Sequence, residues 1–237
     1  MNRMGKIVAY HLSGFSKPVA VLAGVVTGVG LVTRIFELSL RRGDNNSSMN
    51  FGSFDIIFAI FLFVCFMVSF KNSFNHLNTS GITRKTYCMG YALFSLAAAA
   101  VMMALFAVLS GVFALMGIHT DNLVTEAYDV QMFPVGIVFV ISLFILASMG
   151  GWLISLLAYK YGKPMIIALA VSPTILFSVI PILIYVFDMW KPMYDFIKFY
   201  FGMEGPSPLL ASLNFFVTAV VLALCNWLIM RKLPVKV

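Results

Sequence analysis

Three histidines, three cysteines and nine carboxylates are the side chains of this chain that could ligate a metal, move a proton or attack a substrate. Their spacing assembles no such centre. His11, His76 and His119 are far apart and lie outside the long apolar runs, so no serine–histidine pair or histidine metal site can form at depth. Cys65, Cys88 and Cys225 fall in or beside apolar runs without paired spacing, and read as packing residues. Asp55 stands where an acidic residue caps a helix start, and Asn226 where an amide can bond across helices. A phosphate-binding GxxxxGK[ST] loop is absent, as are the midplane acid and internal repeat of ion-coupled transporters. The chain therefore reads as no enzyme, with no catalytic residue, metal or cofactor of its own.

The remaining chemical signal is a basic polar stretch, KNSFNHLNTSGITRKTY over 71–87, which carries positive charge and no negative charge. Phe70, Phe74 and Leu77 recur at i, i+4 and i+7, so 70–78 predicts a short helix with one apolar face. Gly81 breaks it, and Thr83 is the N-cap of the next helix, with Arg84 and Lys85 at the membrane surface.

The elements that position this stretch are apolar. Of 237 residues 61% are hydrophobic and 11% charged, and the mean hydropathy is +0.98; a soluble domain has about 25% charged residues. The chain predicts a single all-α integral membrane domain with six spans, at 18–35, 54–70, 87–116, 133–159, 165–187 and 209–230. With alternate loops on alternate sides, eleven basic and no acidic residues fall on one face, and five basic with all nine acidic residues on the other. Basic loops stay inside, so both termini and the 71–86 segment are expected in the cytoplasm. The net charge of +7 is thus a topology signal rather than a nucleic-acid footprint.

Two flanking helices complete the expectation. Residues 1–17 place Met4, Ile7, Val8, Leu12 and Phe15 at helical spacing, which predicts an interfacial helix on an anionic lipid surface; the apolar run after it is too long for a cleaved signal. Residues 188–203 combine Asp188, Lys191, Asp195 and Lys198 on one face with many aromatics, which predicts an outer interfacial helix ended by Gly202. Gly24 and Gly28 form a GxxxG packing pair, Gly150 and Gly151 a kink or close contact, and Pro173 and Pro181 break the fifth span.

This order of elements, with GITRKTY closing the segment between spans two and three, resembles the type-2 ABC exporter permeases, in particular small Gram-positive peptide and antibiotic export permeases. The chain has Asn72 and Asn75 where many members carry a glutamate early in that segment. The resemblance implies a bacterial plasma-membrane permease subunit that moves a hydrophobic or amphipathic substrate outward: a peptide, an antibiotic or a lipid. It implies a homodimer or a heterodimer with a sister permease, and ATP and Mg on a separate cytoplasmic ABC ATPase. Phe70, Phe74, Leu77, Gly81, Thr83 and Arg84 would be the ATPase-coupling residues, and Gly24, Gly28, Pro173 and Pro181 would line the path. The alternative is a membrane-embedded peptide-binding or immunity protein without transport.

Overall fold

The computed structural model describes residues 3–40, 54–79, 81–116, 118, 122–128, 132–162, 164–165, 190–202 and 207–233. Among them all regular structure is helical: α1 (Arg3–Leu40), α2 (Phe54–Thr79), α3 (Arg84–Leu115), α4 (Leu123–Tyr128), a π-helical turn (Met132–Gly136), α5 (Ile137–Tyr161), α6 (Trp190–Tyr200) and α7 (Pro208–Arg231). Four stretches, Met4–Phe36, Arg84–Leu115, Pro134–Tyr161 and Pro208–Arg231, are long and apolar enough to cross a membrane, and Phe54–Phe70 adds a shorter apolar run. The expected fifth span, with Pro173 and Pro181, lies outside the described residues apart from Met165.

Ring and backbone contacts fix the helix directions. Ile7 abuts Gly90 and Gly30 abuts Phe113, so α1 and α3 run parallel. Phe54 stacks on Phe113 and Phe70 meets Tyr87, so α2 is antiparallel to α3. Phe58 faces Phe144, and Phe70 faces Tyr159, so α2 and α5 are parallel. Phe139 meets Phe215, and the Asn226 amide donates to the Met149 carbonyl at 3.2 Å, so α7 is parallel to α5. The helix α5 is the central one, packed on α2, α3 and α7, and Trp152 and Leu156 on it are fully buried. Gly151 permits this: a Cβ there would lie 2.2 Å from the Phe63 carbonyl oxygen, so the pair 150–151 makes a close contact within an unbroken helix.

Two expected boundaries are absent. The helix α1 runs without interruption through Pro18, so 1–17 is not a separate interfacial helix. Ile7, His11 and Phe15, spaced at i, i+4 and i+8, bury themselves against α3, and that packing outweighs the one backbone bond Pro18 removes. Likewise α2 continues from Phe54 to Thr79, so 70–78 is the last turns of the second apolar helix rather than a short helix of its own. No breaker precedes Gly81, whose φ of +74° ends the run.

At the opposite end of the bundle the buried Asp55 does more than cap its own helix. Its carboxylate accepts from Ile56 N at 3.2 Å and from Leu123 N, the first residue of α4, at 2.9 Å. Tyr128 on α4 donates its hydroxyl to the Phe201 carbonyl, and burial pushes that phenol's pKa up. A helix stands where the outer one was expected, as α6, and Gly202 follows it at φ +65°. Its last carbonyls, Phe199 and Tyr200, accept from the Asn214 amide at 3.2 and 2.9 Å.

Candidate functional site

The α2–α3 corner was built by local chemistry that the structure reproduces. Thr83 is the N-cap of α3, its hydroxyl accepting from Thr86 N at 3.3 Å, which satisfies one of the free N–H groups of the first turn. Gly81, Thr83 and Lys85 are exposed at this corner.

The apolar face of the same segment turns inward. Phe70 and Phe74 are 0% and 1% exposed, stacked on each other at 5.2 Å and set edge-on against Tyr87 of α3 and Tyr159 of α5 at 5.4 to 5.9 Å. Their rings are therefore occupied within the chain and have no surface left for a partner. Leu77 lies on α2, but its side chain is outside the described residues. Arg84 is also engaged: its Nη1 donates to the Arg231 carbonyl at 3.2 Å, the C-terminal end of α7, where a cation suits the helix dipole. Of the five expected coupling residues whose side chains are described, Gly81 and Thr83 are the exposed ones, and Phe70, Phe74 and Arg84 tie the corner to α3, α5 and α7.

The glycines of α1 divide. A Cβ on Gly24 or Gly28 would meet nothing within 4 Å, so this pair faces away from the chain, whereas Gly30 takes the Phe113 ring. Much of the remaining α1 surface is apolar and open, with Val21, Val25, Val32 and Ile35 all more than half exposed.

Between α1, α2 and α3 lies a cavity of about 530 Å³ that sequence reasoning missed. Tyr10, Phe15, Phe66 and Phe94 wall it, and His11, Ser69, Ser73, Cys65 and Lys17 supply polar groups. His11 is 5% exposed, lies flat on Phe94 at 4.9 Å, and its Nε2 has no hydrogen-bond partner among the described residues. The Ser69 and Tyr91 hydroxyls bond at 2.7 Å beside it. The available signal was the position of His11 on the Ile7–Phe15 row, where a polar residue occupies an otherwise apolar face. The cavity is of the size and lining that accept an amphipathic molecule, a few polar groups in an aromatic box. No carboxylate lines it to orient the imidazole, and among the described residues no group of three or more metal-ligating side chains exists. Comparison of the chain with family models, curated proteins and solved structures gives no match.

Proposed function

We propose that the protein is a plasma-membrane permease subunit of an ATP-driven exporter for a hydrophobic or amphipathic substrate. The observation that carries this reading is the aromatic joint of Phe70 and Phe74 with Tyr87 and Tyr159. It fastens the exposed corner at Gly81 and Thr83 to α3 and α5, so that a cytoplasmic ATPase docking on the corner would move three helices together. Interior packing is dense and transmits displacement rather than absorbing it. ATP and Mg belong to that partner.

Six crossings are supported by the helix directions. The chain leaves α5 at Tyr161 at one end of the bundle and re-enters at Trp190, beside the start of α7, at the other. The described helices on either side thus stand at opposite ends of the bundle, as a sixth crossing requires, and ~20 residues suffice for a helical crossing. The same directions bring Lys6, Arg84, Lys85, Lys160, Arg231 and Lys232 to one end and Asp55, Glu126 and Asp195 to the other, which supports a cytoplasmic location for both termini. The open face of α1 around Gly24 and Gly28 suits a second copy or a sister permease, with the path between protomers.

The test is a photo-crosslinking residue at position 83 combined with co-purification. An ATPase encoded by an adjacent gene is expected to co-elute in detergent and to crosslink on illumination. If neither occurs, the coupling reading fails. The ≈530 Å³ cavity favours the second reading, a peptide-binding or immunity protein without transport. That reading predicts peptide binding by the purified chain with no ATPase attached.

A further inference from the structure

We propose that the ends of α3 and α7 form a binding site for one anionic phospholipid, independent of any transport activity. Arg84 and Lys85 open α3, and Arg231 closes α7 with Lys232 after it, so two basic helix ends meet. A cavity of about 270 Å³ lies between them, lined by Arg84, Lys85, Trp227, Met230 and Arg231. Three of these five residues are cations. None of the three is paired with a carboxylate among the described residues, and like charges gathered in this way repel one another unless an anion joins them.

The cations are held in place rather than splayed into water. The Arg84 bond to the Arg231 carbonyl fixes one guanidinium, and the other lies over the Trp227 ring at 4.7 Å. Capping of the α7 C-terminus explains Arg84 alone. It does not account for Lys85 and Arg231 lining the same cavity.

The surroundings select a lipid over a free anion. Four and eight residues beyond Lys85, Met89 and Leu93 are both 46% exposed; on α7, Leu224 and Val220, three and seven residues before Trp227, are 56% and 44% exposed. Apolar rows thus run from the cavity along both helices toward the middle of the bundle, as acyl chains would from a phosphate-bearing headgroup. Trp227 and Met230 stand at the boundary, where an indole has one apolar side and one polar edge.

The experiment uses the full chain in nanodiscs of phosphatidylcholine doped with brominated phosphatidylglycerol, or with brominated phosphatidylcholine at the same mole fraction. Quenching is read as the difference between the unmodified chain and Trp227→Phe, which isolates this indole from Trp152 and Trp190. Quenching by the brominated anionic lipid should exceed that by the neutral one and fall with Lys85→Gln and Arg231→Gln, about fivefold in apparent affinity for each cation removed. Arg231→Lys should keep most of it, and Lys85→Gln, at an exposed first-turn position, keeps the fold in place. Equal quenching by both lipids, or undiminished quenching in the two glutamine variants, would overturn the proposal. Displacement of the brominated lipid by millimolar inorganic phosphate would also overturn it, in favour of a free-anion site.

Discussion

Gly151 of α5 rests on the backbone of Phe63 of α2 so closely that a Cβ on it would stand 2.2 Å from the Phe63 carbonyl oxygen and 3.2 Å from its Cα. Backbone cannot yield as a side chain can, so Gly151→Ala must push α2 and α5 apart along their shared face. Overpacking of this kind costs about 1–3 kcal/mol. The neighbouring Gly150 is the internal control: its Cβ would meet only the Phe63 ring, at 3.5 Å, an ordinary contact. Gly150→Ala should be neutral or stabilising by up to ~1 kcal/mol through helix propensity. Thermal unfolding in detergent should lower the midpoint for position 151 and leave it unchanged or raised for position 150.

The Asp55 carboxylate links the start of α2 to the start of α4 through Leu123 N, with no exposure to solvent. Asp55→Ala would leave that N–H without a partner, at a cost of about 1–3 kcal/mol, whereas Asp55→Asn retains one acceptor and should lose less. Hydrogen exchange over Leu123–Tyr128 should accelerate strongly in the alanine variant and mildly in the asparagine variant. Equal protection in all three proteins would show that the bond does not hold α4.

Ser95 and Ser148 meet as a buried hydroxyl pair between α3 and α5, and Ser148 donates onward to the Ile145 carbonyl at 2.8 Å. The Ser95 hydroxyl is then the donor to Ser148. A double-mutant cycle with alanine at both positions should give a coupling of about 0.6 kcal/mol, the scale of hydrogen bonds between helices in lipid. A coupling near zero would mean that the two residues serve only as small packing groups.

On α1, Gly30→Ala should destabilise the isolated chain, because its Cβ would fall 2.3 Å from Phe113, a fully buried ring stacked on Phe54. Gly24→Ala and Gly28→Ala should leave that stability intact, since open space surrounds both positions. If a second protomer packs on this face, the same two substitutions should weaken crosslinking between copies in membranes. Full crosslinking in the double variant would remove α1 from the dimer interface.

Much of the architecture was legible in the chain itself. Five of the six expected apolar runs are helices among the described residues, Thr83 caps α3, Gly81 and Gly202 follow helices at positive φ, and Lys6, Arg84, Lys85, Lys160, Arg231 and Lys232 share one end of the bundle. Each is a local property: hydropathy over a window, a hydroxyl placed before a helix, a glycine where φ turns positive. The corner at 81–85 was therefore located from residue types alone, including its break and its anchor.

Tertiary packing decided which way each helix faces. Phe70 and Phe74 were expected to offer a docking face and instead fill the joint with Tyr87 and Tyr159; His11, expected outside the spans, is buried on the Ile7–Phe15 row against α3; Arg84 reaches Arg231. Of the glycines, Gly30, Gly90 and Gly151 take close neighbours, while Gly24 and Gly28 face open space. In long helices that are apolar on every side, hydrophobicity does not separate the face that meets lipid from the face that meets another helix, because hydrocarbon and protein core are equally apolar. Shape and small residues make that choice, and the shape exists only once the helices have come together.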